Sequence, residues 1–224
     1  MERNKGRAPT QLRPITITYN FIEHAAGSVL FQMGGTKIAC SVTLQNGVPP
    51  FLKGQKTGWL NAEYAMLPAA THLRKDREVV GCKRNGRSME ISRLIGRSLR
   101  AVTDLSLLGE RTVVIDCDVI QADGGTRSAA ISGAYAALLL ANEKWIAQGI
   151  IRSSIMCEEI AAVSVGIGDL GILLDLNFEE DSAIKADFNF VLTATGKVIE
   201  IQGSAEQEPI VWSDAARMYE VAAE

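Results

Sequence analysis

Hydrophobic and polar residues alternate along the first third of the chain. A period of two places successive side chains on opposite faces of an extended chain, so the pattern predicts β-strands. Two glycines, Gly34 and Gly35, separate the second and third alternating segments, which is typical of a hairpin turn. Proline and glycine between 48 and 58 predict a loop. The predicted strands cover 15–20, 28–33, 37–44 and 59–65.

Longer periods appear in the rest of the chain. Apolar residues recur at three- and four-residue steps from Ser88 to Leu105, which predicts an amphipathic helix. A second helix is predicted over 126–148, dense in alanine and leucine and buried over much of its surface, and a last one over 213–223. Further strands are predicted over 112–121, 160–167, 171–178, 186–193 and 198–202. Strand groups separated by two long helices predict a layered α/β domain rather than a barrel or a bundle.

The composition limits the classes of protein to which the chain can belong. With 224 residues, 47% of them hydrophobic, one sizeable core is possible, and a single domain over 1–224 is expected. No run of 18 apolar residues is present, so no membrane span is expected, and the polar start is unlike a secretory signal. Four scattered cysteines favour a reducing compartment, and a cytoplasmic location is expected.

Positive charge is concentrated in one segment. The formal net charge is −3, yet 74–100 carries +6, which leaves −9 on the rest. A basic segment on an acidic body suits phosphate groups of nucleic acid. A solvated helix face preceded by a charged loop explains the same charges, and the charges alone do not decide between the two readings.

A glycine-rich sequence, Asp123-Gly124-Gly125-Thr126-Arg127-Ser128, lies between a predicted strand and a predicted helix. Glycine lets the backbone turn tightly, and a helix start offers N–H groups and the positive end of the helix dipole to an anion. Thr126 adds a hydroxyl donor and Arg127 a planar guanidinium. The sequence is therefore a candidate phosphate site, although an ordinary capped turn has the same composition.

A second arginine occupies a similar position. Gly86-Arg87-Ser88 stands at the start of the basic helix, where Arg87 could bind an anion or lie on the surface beside a helix cap. Two arginine-bearing helix starts could meet at one phosphate, but the sequence does not show whether they do.

Acidic residues cluster around a predicted hairpin near the C-terminal third. Asp187 begins a strand there and shares a face with Asn189. Carboxylate pairs near a phosphate site suit Mg²⁺, which takes hard oxygen ligands and keeps waters and substrate oxygens. Solvated acids in turns are the alternative. The cluster consists of Asp175, Glu179, Glu180, Asp181 and Asp187.

Short motifs follow one another in a fixed order from Arg7 to Glu208. They include Leu12-Arg13-Pro14-Ile15, Ala62-Glu63-Tyr64, Met66-Leu67-Pro68, 86–91, 93–100, 116–127, 175–177 with 179–182, and Gln202-Gly203. Together they resemble the RNase PH family of phosphorolytic tRNA-trimming enzymes, whose relatives include polynucleotide phosphorylase and the exosome ring. The resemblance implies the RNase PH-like fold, an α+β arrangement of mixed sheets packed with long helices and shared with the second domain of ribosomal protein S5.

The resemblance also implies roles for particular residues. Arg87, Gly125, Thr126 and Arg127 match the family's phosphate-binding residues, and Arg127 also counts among the catalytic ones. Asp181 and Asp187 match its catalytic carboxylates, which hold Mg²⁺. Arg74, Arg77 and Arg93 fall where basic residues hold tRNA.

The same resemblance implies a substrate and an assembly. The substrates would be tRNA precursors and other RNA 3′ ends, with inorganic phosphate as co-substrate, and the assembly a homohexameric ring built as a trimer of dimers. Ala69 departs from the family pattern, which commonly has arginine there to hold tRNA. Two other readings stay open, a hydrolytic exonuclease and a catalytically silent ring subunit.

Overall fold

The computed structural model describes residue 3 and residues 6–77 and 85–224. Over these residues nine strands form two sheets, and four α-helices pack with them. This is the layered α/β class that the sequence predicts. None of the helices in the described ranges has the length and apolar character needed to cross a membrane.

The first sheet has the strand order β1-β2-β3-β5-β4, antiparallel except for the parallel pair β4 and β5. Buried and less buried residues alternate along its central strands, as the period of two predicts. The predicted hairpin at Gly34 is confirmed, and Gly34 has the left-handed backbone (φ 57°) that the turn requires. The strands are Ile15–Tyr19, Gly27–Met33, Thr36–Asn46, Trp59–Met66 and Arg111–Gln121, numbered β1 to β5.

The second sheet is antiparallel throughout, with the order β7-β6-β8-β9. Its strands are Ile160–Gly168 (β6), Gly171–Leu174 (β7), Ala186–Thr193 (β8) and Val198–Ala205 (β9). A turn at 195–197 joins β8 to β9.

The long helix α2 lies between the two sheets. It packs against β2 and β3 on one side and β6 on the other, and small residues such as Ala134 and Ala137 are fully buried in it. This double contact explains why its hydrophobic residues surround the helix instead of forming one stripe.

Helix α1 packs on β4, and α4 covers β6 and β8. The helices are Gly86–Arg100 (α1), Thr126–Ala147 (α2), Phe178–Ala183 (α3) and Trp212–Ala223 (α4).

The prediction for the first helix, Ser88 to Leu105, is wrong at both ends. The helix begins at Gly86, because the Asn85 side chain accepts a hydrogen bond from the Arg87 N–H and caps it. It ends at Arg100, because Thr103 pairs with Met156 in an isolated β-bridge. A short 3₁₀ turn then occupies Leu105–Leu108.

The strand predicted over 171–178 stops at Leu174. Asp175 has a left-handed backbone (φ 55°), which no strand accommodates. Asn177 and Glu180 then form a capping box, each side chain bonding to the other's backbone N–H, and this box starts α3. The acidic residues expected around a hairpin therefore lie largely on a helix.

Candidate active site

A cavity of about 490 Å³ lies where α1, α2, α3 and β8 approach one another. Its wall contains all six residues that the sequence assigns to phosphate and to catalysis: Arg87, Gly125, Thr126, Arg127, Asp181 and Asp187. These residues span 101 positions of sequence, so the fold brings them together, which the sequence alone did not show. The wall also contains Ser164, Ser182, Ile184, Asn189, Glu206 and Gln207. A larger cavity of about 740 Å³ lies beside the Asp123–Gly125 turn, but it contains neither Arg127 nor Asp187.

One half of the site is the start of α2. Gly124 and Gly125 both have left-handed backbones (φ 73° and 64°), which turn the chain sharply from β5 into the helix. Among the described residues no side chain caps this helix start, so its first N–H groups lack a side-chain acceptor there. The cavity beside these groups is consequently suited to an anion.

Thr126 and Arg127 are both held in place at this helix start. The buried Thr126 hydroxyl accepts a hydrogen bond of 2.9 Å from the Tyr64 phenol. The Arg127 Nη1 donates to Gln202 Oε1 on β9 at 2.8 Å and lies 3.8 Å from Glu90 Oε1 on α1. The guanidinium therefore has a preferred orientation at the cavity wall.

The other half of the site is acidic. Asp181 lies on α3 and Asp187 near the start of β8, where Asn189 Nδ2 donates to Asp187 Oδ2 at 3.4 Å. Burial raises the pKa of Asp181, although the charges of Arg87 and Arg127 act in the opposite direction. Burial also raises the pKa of Asp187, and the negative charge of Asp181 adds to this.

The negative charge of Asp181 makes Asp187 harder to ionise, and a divalent cation bound between the two carboxylates would remove that repulsion. No group of three or more His, Cys, Asp or Glu side chains among the described residues is placed to hold a metal by itself. Two carboxylate side chains are a donor set that fits Mg²⁺, which is commonly bound by one or two carboxylates and completed by water and substrate oxygens. Asp181 and Asp187 are the residues that could hold it.

Four of the five residues in the acidic cluster predicted from the sequence fall into two groups. The Asp175 carboxylate is fully buried, and its oxygens accept hydrogen bonds from the Arg13 guanidinium at 2.6 and 2.9 Å. Glu180 pairs with Arg3 at 2.9 Å and with Arg7 at 2.8 Å. Asp175 and Glu180 are thus structural and do not line the cavity, whereas Asp181 and Asp187 do.

The arginines of the basic segment also fall into two groups, those that bind neighbouring strands and those that are exposed. Arg97 binds Glu200 with two hydrogen bonds of 2.6 and 3.1 Å, and the Arg100 guanidinium stacks over the Trp59 ring at 4.6 Å. Both residues connect α1 to neighbouring strands. The arginines assigned to RNA, Arg74, Arg77 and Arg93, are exposed, and Arg74 pairs with Asp76 at 3.0 Å. Lys83 and Arg84 lie outside the described residues.

Reasoning from the sequence gave no role to several residues that support the site. Tyr64, Gln202 and Arg13 occur in the motifs that carry the resemblance, but only their contacts reveal what they do. The sequence places Asn189 on the same face as Asp187, and the hydrogen bond between the two side chains confirms this placement.

Comparison with known families agrees with the fold and with the resemblance. Residues 11–143 match the model of domain 1 of the 3′ exoribonuclease family, and residues 158–223 match domain 2. The chain belongs to this family, within the RNase PH and exosome ring superfamily. The two matched segments correspond to the two sheets, and the expectation of one domain over 1–224 stays a prediction.

Solved structures share the fold at low sequence identity. Rrp46 of rice (Oryza sativa) is 19% identical, with a TM-score of 0.78 over 98% of this chain and 92% of that one. An Archaeoglobus fulgidus exosome with RNA bound to the active site is 23% identical, with a TM-score of 0.80 over 98% and 88%. An archaeal exosome core is 22% identical, with a TM-score of 0.76 over 98% and 86%. These matches confirm the RNase PH-like fold.

Proposed function

We propose that this chain is a phosphate-dependent 3′-to-5′ exoribonuclease that trims tRNA precursors and other RNA 3′ ends, the activity of a tRNA nucleotidyltransferase. The observation that carries the proposal is the meeting of Arg87, Thr126 and Arg127 with Asp181 and Asp187 in one cavity. Family membership supports the general class, RNA 3′-end processing. The phosphate co-substrate and the tRNA are the proposed parts.

In the proposed reaction, inorganic phosphate binds at the start of α2. The N–H groups that follow Gly125 and the hydroxyl of Thr126 donate to its oxygens, and the guanidinium groups of Arg87 and Arg127 neutralise its charge. Phosphate is already anionic at neutral pH, so the site needs no strong base to activate it. This accords with a cavity wall that contains no histidine among the described residues.

A phosphate oxygen then forms a bond to the phosphorus of the last nucleotide, and the bond from that phosphorus to the 3′ oxygen breaks in line. The electrons of the broken bond stay on the 3′ oxygen, which takes up the proton that the attacking hydrogen phosphate gives up and becomes the new 3′-hydroxyl end. The products are a nucleoside diphosphate and RNA shorter by one residue. The reaction is reversible, because the diphosphate keeps an activated phosphoanhydride bond.

We propose Mg²⁺ as the cofactor, held by Asp181 and Asp187, and when bound it supplies positive charge next to the transferring phosphoryl group. Arg127, oriented by Gln202, holds the phosphate.

A homohexameric ring, a trimer of dimers, is the proposed assembly, and the cytoplasm the proposed location. The edge strand β1 supports an assembly, because its Ile15 and Tyr19 side chains are 47% and 57% exposed and its outer edge has no strand partner among the described residues. Arg74, Arg77 and Arg93 are exposed and are the proposed contacts to tRNA.

The test is a 3′-extended tRNA incubated with the protein and Mg²⁺, with and without inorganic phosphate, followed by separation of the released nucleotides. We expect diphosphates only when phosphate is present. Monophosphates without phosphate would indicate a hydrolytic exonuclease, and binding without release would indicate a silent ring subunit.

Matched variants assign the activity to the cavity. Asp187→Asn and Arg127→Gln should each lower nucleotide release by about a hundredfold or more. Asp169→Asn and Arg152→Gln change residues of the same types at exposed positions outside the cavity and should leave release unchanged. Full activity of Asp187→Asn would remove that residue from the proposed site.

A further inference from the structure

A buried cluster of five charged side chains lies behind the cavity. Arg3, Arg7 and Arg13 surround the carboxylates of Asp175 and Glu180, with ion-pair distances from 2.6 to 3.2 Å. Burying so many charges is costly unless each is paired and hydrogen-bonded. The reaction proposed above uses none of them, so their cost calls for a separate explanation.

Arg13 differs from the other two arginines in what it contacts. Its Nη2 and Nε bind the two Asp175 oxygens at 2.6 and 2.9 Å, which fixes the plane of the guanidinium. The same guanidinium donates to the carbonyl oxygens of Asp123 at 2.5 Å and Gly124 at 3.4 Å. Arg13 therefore joins the segment before α3 to the turn before α2.

Thr36 holds the same turn from another side. Its hydroxyl donates to the Gly124 carbonyl at 2.7 Å and accepts from the Asp123 N–H at 2.9 Å. The side chain is fully buried at the start of β3. Two side chains, one from the segment before β1 and one from the start of β3, thus fix adjacent peptide groups of the turn that leads into Gly125 and Thr126.

The turn also contacts the segment that leads into α3. A Cβ built on Gly124 would lie 2.5 Å from the backbone carbon of Asn177, so the two backbones are in direct contact. The Phe178 N–H, in the first turn of α3, points to Asp123 Oδ1 at 3.5 Å. The phosphate half and the carboxylate half of the cavity therefore meet at this turn, with Arg13 bridging the contact.

We propose that Arg13, fixed by Asp175, and Thr36 are positioning residues that hold the Asp123–Gly125 turn against the start of α3 and thereby set the phosphate site. This inference rests on the proposed function, because it assigns phosphate to the start of α2. Neither side chain lines the 490 Å³ cavity. Their effect reaches the site through the backbone of the turn.

A site built from backbone N–H groups depends on the orientation of its peptide planes. Losing the Arg13 or Thr36 contacts leaves the Asp123 and Gly124 peptide groups without these partners and lets the turn rotate. The KM for phosphate should then rise by about tenfold or more, whereas the KM for RNA should stay within about twofold. A merely structural role would instead lower the amount of folded protein without changing the phosphate KM.

The experiment compares four variants with wild type, by phosphate titration of the phosphorolysis rate and by calorimetric binding of inorganic phosphate. Arg13→Gln and Thr36→Val remove the contacts to the turn. Arg7→Gln is the matched control for Arg13, because it also loses an ion pair to Asp175 without reaching the turn. Thr36→Ser keeps the hydroxyl and is the rescue for Thr36→Val.

We expect a raised phosphate KM and weaker phosphate binding in Arg13→Gln and Thr36→Val, with near wild-type values in Arg7→Gln and Thr36→Ser. If Arg13→Gln fails to fold, the valine and serine variants of the buried Thr36 decide the question alone. If the wild type uses phosphate and Thr36→Val and Thr36→Ser have the same phosphate KM as the wild type, the positioning role is overturned and the proposed function stays intact. A wild type that neither binds phosphate nor releases diphosphates overturns both.

Discussion

The Tyr64 phenol donates a hydrogen bond of 2.9 Å to the Thr126 hydroxyl oxygen, and both side chains are buried. Burial raises the pKa of Tyr64, while its hydrogen bond to Thr126 and the charges of Arg87 and Arg127 act in the opposite direction. The phenol thus stays protonated at neutral pH and remains a donor. Because Thr126 accepts this bond, its own hydrogen points elsewhere, and the cavity lies beside it.

This relationship predicts that Tyr64→Phe weakens phosphate binding without touching phosphate. The Thr126 hydroxyl would become able to rotate, so the phosphate KM should rise by about threefold to tenfold, the equivalent of one ordinary hydrogen bond. The measurement is the phosphorolysis rate against phosphate concentration. Tyr135→Phe is the control, since Tyr135 lies on the same helix as Thr126 but outside the cavity. An unchanged phosphate KM in Tyr64→Phe would contradict this account of Thr126.

Gln202 is predicted to matter through Arg127. Its Oε1 accepts from Arg127 Nη1 at 2.8 Å, and its Nε2 donates to Glu90 Oε1 at 3.4 Å, so the amide orients the guanidinium. Gln202→Leu should therefore reduce turnover by about tenfold, less than the loss in Arg127→Gln.

The control for Gln202 comes from the same strand. Glu200 lies two residues before Gln202 and accepts two hydrogen bonds from Arg97. Glu200→Gln disturbs these bonds and should leave turnover near the wild-type value. Steady-state rates at saturating RNA and phosphate measure both variants. If Glu200→Gln lowers turnover as much as Gln202→Leu does, turnover depends on the attachment of β9 to α1 and not on the orientation of Arg127.

Gly124 should tolerate no side chain. It has a positive φ of 73°, and a Cβ there would lie 2.5 Å from the Asn177 backbone carbon and 2.6 Å from the Leu176 carbonyl oxygen. Backbone atoms cannot rotate away, so Gly124→Ala should destabilise the protein by more than the roughly 1 kcal/mol that left-handed strain alone costs alanine. Nucleotide release should fall as well, because the turn sets the start of α2.

Gly196 offers a close comparison for this substitution. Its φ is 79°, but nothing lies within 4 Å of a Cβ built there. Gly196→Ala should therefore show only the backbone strain in denaturant unfolding, with normal nucleotide release. Equal losses of unfolding free energy in the two variants would mean that the contact with Asn177 is not restrictive.

Local patterns along the chain predicted much of the fold and half of the site. The period-two segments correspond to β1 to β4 and the segment predicted over 112–121 to β5, with ends within a few residues, and the glycine-rich turn lies before α2 as predicted. These features depend on neighbours in sequence, as the Gly34 turn does. Helix α3 was missed although Asn177 and Glu180 carry the spacing of a capping box, because an alternating apolar run just before it favoured a strand.

Partners distant in sequence could not be predicted in the same way. Asp175 and Asp181 stand six positions apart and look alike in the sequence, yet one is enclosed by Arg7 and Arg13 and the other faces the cavity. The left-handed backbone of Asp175 directs the two carboxylates to different surroundings. Likewise, nothing local to Arg97 shows that it binds Glu200 and is thus partly neutralised.

Asp116 provides a last prediction, one that concerns stability against pH. It lies on β5 between the buried Ile115 and Cys117, on the face of the sheet turned away from the core, opposite Ser41 of β3 and Glu63 of β4. Burial raises its pKa, and the negative charges of Asp118 and Glu63 raise it further. The positive charge of Lys37, also on β3, does not lie opposite Asp116, because Lys37 pairs with Gln121 at the far end of β5.

A raised pKa in the folded state means that the folded protein binds this proton more tightly than the unfolded chain does. The free energy of unfolding should therefore fall as the pH rises from about 4, the unfolded value, through the raised pKa, and the loss is complete above it. Asp116→Asn removes the titration, so this variant should be more stable than wild type at pH 7 and the difference should shrink toward pH 4. Urea unfolding at a series of pH values measures this, with Asp169→Asn, in the exposed turn after β6, as the control. Parallel stability curves for wild type and Asp116→Asn would show that this carboxyl does not carry the pH dependence.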